Sequence, residues 1–196
     1  MGGARSACSP TNITKLAKPK KLMTDNTLEI PLLLTKLEAN LRQQIKQRKL
    51  INPIMIGVHS GGAWVAEHLH QQLAIEEPLG LMDISFYRDD FSQCGMNPQV
   101  KPCQLPAHME GRDIILIDDV FYTGRTVRAG LNEIFDYGRP NQVVLGVLIE
   151  RDGRQVPLQP DCSGCSITLP PGQRIKLTGP APLGIHIQSF PTESDD

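Results

Sequence analysis

The sequence predicts an α/β domain with a mostly parallel central sheet flanked by helices, and three observations lead there. Between residues 28 and 150, apolar runs of strand length alternate with stretches of helical period. One run, DIILIDD (113–119), is continuous and aliphatic, as in a strand buried on both faces of a parallel sheet. Short turns at 59–62, 119–126 and 151–154 follow strand ends, where such sheets bind ligands beyond their carboxyl edge.

The elements follow in order. Leu33, Leu37, Leu41 and Ile45 recur every four residues, so a helix is expected within 28–49. Arg42, Lys46, Arg48 and Lys49 make its last turns basic, which suits the negative end of a helix dipole. NPIMIGVHSGG (52–62) reads as strand 53–58 entering a Gly-rich turn, and AWVAEHLHQQL (63–73) as the helix leaving it. GLMDISFYRDD (80–90) reads as a second strand. Residues 91–111 carry three prolines and two glycines without a strong period, the mark of an excursion or long hairpin. DIILIDD is the third strand. TVRAGLNEIFDYG (126–138) is a helix stopped by Gly138 and Pro140, and QVVLGVLIE (142–150) is the fourth strand. The Pro- and Gly-rich stretch 151–190 is expected to form short strands and turns.

With 196 residues, 40% hydrophobic and 21% charged, the chain suits one globular domain with a real core. No apolar run is long enough to span a bilayer, and the N-terminus lacks a signal-peptide core, so no membrane partner and a cytoplasmic location are expected. The five cysteines, Cys8, Cys94, Cys103, Cys162 and Cys165, are then expected as reduced thiols. CSGC (162–165) has metal-ligand spacing, but Cys94 and Cys103 form no matching knuckle, and free thiols are the better reading. His68 and His70, two apart on a helix, face different sides and do not make a metal pair. Residues 1–25, with Arg5, Lys15, Lys18, Lys20 and Lys21, read as a disordered basic extension; 26–190 is the domain, and 191–196 an acidic tail. A net charge of −1 supplies no global attraction to nucleic acid, so any RNA surface would be a local patch.

The chemistry concentrates in ILIDDVFYTGRT (115–126). The strand carries Asp118 and Asp119 to the sheet's carboxyl edge. Gly124 lets the backbone turn sharply against a ligand, Thr123 and Thr126 add hydroxyls, and the free N–H groups of the following helix favour a phosphate. Two carboxylates beside a phosphate pocket suit a ribose diol, or Mg²⁺ held partly through water. No lysine follows Gly124 as a nucleotide-triphosphate loop would require. A simple capped helix start is the competing reading, and it leaves the paired acids unexplained.

DDVFYTGRTVRAG (118–130) resembles the phosphoribosyl-pyrophosphate signature of type I phosphoribosyltransferases. It is most similar to that of the PyrR family, pyrimidine-operon regulators that also have uracil phosphoribosyltransferase activity. That family's motif differs in its first twelve positions only at Phe121. MIGVHSGG (55–62), ISFYRDDF (84–91), DYGRP (136–140) and VLIERDGRQVPLQPD (147–161) resemble its pyrophosphate loop, the strand into its mobile loop, a helix end and its hood segment. The resemblance spans roughly 28–188 and implies the type I phosphoribosyltransferase fold with a small hood.

The resemblance also implies roles. Asp118 and Asp119 would bind the ribose hydroxyls and, through water, Mg²⁺. Val120, Thr123, Gly124, Arg125 and Thr126 would cradle the 5-phosphate. His59, Ser60 and Gly61 would form the pyrophosphate loop, and Arg88, with Asp89 and Asp90 nearby, would neutralise the leaving pyrophosphate. The implied reaction is uracil plus phosphoribosyl pyrophosphate giving UMP plus pyrophosphate, in a homo-oligomer, with an mRNA leader as a further partner. Two positions depart from the family: Gly61 stands where many members carry Arg, and Gly164-Cys165 where many carry Gly-Lys. A UMP-sensing RNA-binding regulator with little catalysis, or a phosphoribosyltransferase for a purine or orotate, stays open at this stage.

Overall fold

The computed structural model describes residues 28–84 and 103–190. The basic extension 1–25, the acidic tail 191–196, Cys8, Cys94 and the Arg88–Asp90 segment lie outside the described residues.

The chain runs α1 (Ile30–Gln47), β1 (Ile54–Val58), α2 (Gly61–Leu73), β2 (Gly80–Met82), β3 (Asp113–Phe121), α3 (Arg125–Tyr137), β4 (Gln142–Arg151), β5 (Cys162–Ile167), β6 (Gln173–Thr178) and β7 (Gly184–Ser189). A parallel five-stranded sheet has the order β2-β1-β3-β4-β5, and β6 and β7 form a separate antiparallel hairpin, the small hood; residues 147–161, likened above to a hood segment, instead end β4 and connect it to β5 on the main sheet. β3 lies at the centre, which explains why its first seven residues are all buried.

Two cores lie on opposite faces of the sheet. On one, α1 presents Leu33, Leu34, Leu37 and Leu41, and α2 presents Val65, Ala66 and Leu69, against Met55, Ile115, Ile117 and Leu148. Leu37 and Leu41 are wholly buried, and each contributes roughly 1.5–3 kcal/mol through removal from water. Pro31 sits in the first turn of α1, where its missing N–H has no helical partner to lose. At Gly164 the backbone of α1 comes so close that an added Cβ would lie 2.8 Å from the Leu33 carbonyl oxygen. On the other face, α3 lays Val127, Ala129 and Ile134 against Ile114, Leu116 and Val147.

The helices match the periodicity, but three elements differ from the sequence expectation. β3 continues through Val120 and Phe121, which pair with Ile149 and Glu150 of β4, so the turn begins later than residue 119. CSGCSI (162–167) is a fifth parallel strand on the main sheet, not one of several loose strands. Its partner β4 is reached by residues 152–161, where Leu158 packs on the core beneath α3. Within the described part of 80–90, the strand is Gly80–Met82, bridged antiparallel by Gln104 through Leu81.

Candidate active site

β3 pairs with β1 only as far as Ile117, opposite Gly57, but stays paired with β4 to Phe121. The β1–β3 ladder therefore stops just before Asp118 and Asp119, although β1 itself runs one residue further, to Val58. The start of α2 lies against the pair. A Cβ on Gly62 would lie 2.9 Å from Asp118 Cα, and one on Gly61 would lie 2.5 Å from Asp119 Cγ. Only two consecutive glycines let the β1–α2 turn press so closely on the acidic pair.

Asp118 and Asp119 are 3% and 7% exposed. Burying a carboxylate costs several kcal/mol unless charge or hydrogen bonds compensate. Asp118 Oδ1 accepts the Asp119 N–H at 3.0 Å. The start of α2 beside them carries the partial positive charge of a helix N-terminus. Ser60, its N-cap, makes no side-chain cap bond, and the first turn holds no acid. The His59–Ser60 peptide is cis, and the His59 N–H donates to the Met82 carbonyl at 2.8 Å.

The start of α3 is alike. Gly124, its N-cap, adopts φ 87°, a left-handed conformation that glycine takes without strain. No acid lies in the first turn of α3. Thr123 is buried, and its Oγ1 accepts the Arg125 N–H at 3.3 Å. Thr126 and Val120 are half-buried and Arg125 is exposed. Two helix N-termini thus flank the buried acids at the carboxyl edge of the sheet, an arrangement that accepts two anionic groups.

The structure brings together the sequence-derived residues of both loops: His59, Ser60 and Gly61 with Asp118 and Asp119, and Val120 with Thr123, Gly124, Arg125 and Thr126. Arg88 is outside the described residues. At Gly61, the space a side chain would need is filled by the Asp119 carboxylate. Sequence reasoning marked the 151–154 turn but missed its contacts. Arg151 lies over the Tyr122 ring, 3.9 Å from its centroid, and the Gln155 N–H donates to the Thr123 carbonyl at 3.0 Å. The only prior signal was position, at the carboxyl edge of a strand.

Other candidates stand apart. His68 is exposed, while His70 Nε2 lies 2.7 Å from the Glu77 carbonyl oxygen. Cys103, Cys162 and Cys165 are free thiols. Burial, reinforced by the Asp161 charge and opposed by Arg48, pushes the Cys162 thiol up to about 12; burial also raises Cys165. Both thiols therefore stay protonated near neutrality. At the end of α1, Arg42 pairs with Glu38 and Arg48 with Asp161. Among the described residues no group of three or more His, Cys, Asp or Glu could hold a metal ion. No described helix is long and apolar enough to cross a membrane.

The phosphoribosyl transferase domain model matches residues 23–170. A protein of Nitrosococcus oceani named bifunctional protein PyrR is 52% identical over 170 residues, covering 85% of this chain and 96% of that one. The bifunctional protein PyrR of Pseudomonas putida is 47% identical, over 83% of this chain and 94% of its own. Among solved structures, a hypoxanthine-guanine phosphoribosyltransferase of Bacillus anthracis aligns with TM-score 0.58 at 18% identity, covering 74% of this chain and 85% of that one. A purine phosphoribosyltransferase of Pyrococcus horikoshii aligns with TM-score 0.52 at 19% identity, over 70% and 87% of the two chains. At these identities the structural likeness speaks for the fold alone.

Proposed function

The chain belongs to the PyrR family of phosphoribosyltransferases, and from that premise we propose that it joins uracil to phosphoribosyl pyrophosphate, giving UMP and pyrophosphate. The observation that carries this reading is the buried Asp118–Asp119 pair at the carboxyl edge, beside the starts of two helices whose first turns hold no acid. One anionic end of a phosphoribosyl group goes to each helix, and the carboxylates face the sugar between them.

In this reading Val120, Thr123, Gly124, Arg125 and Thr126 hold the 5-phosphate through N–H and hydroxyl groups. His59, Ser60 and Gly61 receive the pyrophosphate, joined by Arg88. The bond from the anomeric carbon to pyrophosphate breaks with its electron pair leaving on oxygen. The uracil N1–carbon bond forms as N1 gives up its proton. Positive charge develops on the ribose in between, and Asp118 and Asp119 stabilise it because they are preorganised in a water-poor site.

Mg²⁺ fits this donor set. It keeps several waters and needs only one or two carboxylates plus substrate phosphates, so no larger protein cage is called for. Asp118 and Asp119 would hold it, and when bound it supplies charge neutralisation for the leaving pyrophosphate. We further propose a cytoplasmic homo-oligomer that senses UMP and binds the leader RNA of pyrimidine genes, in keeping with relatives named bifunctional. Residues 26–190 form its catalytic domain, with 1–25 and 191–196 as appended tails.

The test is formation of UMP from uracil and phosphoribosyl pyrophosphate by the purified protein with Mg²⁺. The double substitution Asp118→Asn with Asp119→Asn abolishes turnover while circular dichroism stays unchanged. Tight UMP binding without turnover would overturn the catalytic reading and leave a sensor. Filter binding of the leader RNA, with and without UMP, tests regulation.

A further inference from the structure

Arg151 closes β4 at the carboxyl edge and is only 8% exposed. Its guanidinium lies over Tyr122, with Cζ 3.9 Å from the ring centroid. Its Nη1 donates to the carbonyl of Gln173, the first residue of β6, at 2.8 Å. Its buried Nε has no hydrogen-bond partner among the described residues. A buried guanidinium with an unmet N–H is unfavourable for stability, and an apolar side chain of similar size would be cheaper there. Its cost calls for a role other than packing.

The contacts around it supply that role. Tyr122 immediately precedes Thr123 and Gly124. Gly153, at φ 109°, lies so close to the Tyr122 ring that a Cβ would overlap its edge. The Gln155 N–H holds the Thr123 carbonyl at 3.0 Å. A Cβ on Gly124 would lie 2.5 Å from Val156 Cγ2. Residues 151–156 therefore grip 122–124 at successive points. Among the contacts of this grip, Arg151 reaches onward to the β6–β7 hairpin.

We propose that Arg151 is a positioning residue: stacked on Tyr122 and anchored to Gln173, it holds the 5-phosphate loop in its binding conformation and ties that loop to the hood. The assignment rests on the phosphoribosyl reading given above. Arg151 touches no reacting atom; it acts through Tyr122 on Thr123 and Gly124. The charge-on-ring contact is desolvated, where such contacts are strongest.

The experiment measures binding of ribose 5-phosphate and of UMP by titration calorimetry, with a thermal melt of each variant. Arg151→Met keeps the volume but removes the guanidinium. It weakens both ligands by about the same factor, roughly tenfold, on the scale of a desolvated cation–ring contact, while the melting temperature holds. Tyr122→Leu gives the same loss, and the double variant is no worse than either single one, because the two side chains act as a unit. Tyr122→Phe binds as wild type, and Arg151→Lys recovers part of the affinity. Undiminished ribose 5-phosphate binding by Arg151→Met overturns the proposal, as does a loss confined to UMP, which would mark a base contact instead. A wild-type protein that binds neither ligand would overturn the phosphoribosyl reading itself.

Discussion

Replacing Gly62 with alanine tests whether the close approach of α2 to β3 builds the site. The new Cβ would lie 2.7 Å from the Ile117 carbonyl oxygen and 2.9 Å from Asp118 Cα. Carbon atoms pack best at about 3.5–4.0 Å, so the shortfall against Asp118 is about 0.8 Å. Both obstacles are main-chain atoms of a strand paired with β4, and neither can rotate aside. The start of α2 must move instead, carrying Ser60 and Gly61 away from the acidic pair. A misplacement near 1 Å costs on the order of a hundredfold in rate, equivalent to about 2.7 kcal/mol of transition-state stabilisation. The same overpacking costs about 1–3 kcal/mol of stability. The assay is steady-state pyrophosphate release against phosphoribosyl pyrophosphate concentration at 25 °C, beside a thermal melt showing that the variant is folded. A folded Gly62→Ala protein with kcat/KM within threefold of wild type would refute the reasoning.

Gly130→Ala makes a matched control. Its Cβ would meet Met82 Sδ at 3.4 Å and Leu116 Cδ2 at 3.7 Å, ordinary contacts in mid-helix. The variant should gain roughly 0.5–1 kcal/mol from helix propensity, read as a melting temperature about 1–4 °C higher with unchanged activity. Asp113→Ala should lose about 3 kcal/mol in urea titration, because the buried carboxylate accepts the Ile51 N–H and the Asn141 amide, each at 2.7 Å. Burial alone would raise the Asp113 carboxyl, but those bonds, with Gln142 and the Arg112 charge, outweigh it and hold it below its ordinary value. A depressed folded value means that the stabilisation is full above the ordinary carboxylate range and fades as pH falls towards the folded value. The stability gap between wild type and Asp113→Ala should therefore narrow in acid; a gap independent of pH down to about 3 would contradict the assignment.

The elements most legible in the sequence were those governed by local period. The leucine stripe of α1 and the aliphatic run of β3 carry their burial in their own spacing. Pairing across the sheet was less legible. Val120 and Phe121 extend β3 because Ile149 and Glu150 lie beside them, a partner about thirty positions away. CSGCSI holds few β-formers and becomes a strand because β4 offers an open edge and Gly164 admits the backbone of α1.

At the site, the sequence by itself determined which chemical groups stand together: two acids, two threonine hydroxyls and a glycine turn are contiguous in ILIDDVFYTGRT, so their likeness to a phosphoribosyl signature is legible without the fold. Only the tertiary structure decided how the acids are housed. The β1–β3 pairing stops one pair short of the acids, Gly61 and Gly62 press against them, and the Asp119 carboxylate takes the volume a longer side chain at 61 would occupy. It also decided that Arg151 stacks on Tyr122 and reaches the hood. Such contacts join residues far apart in the chain, where packing rather than local propensity selects the neighbour.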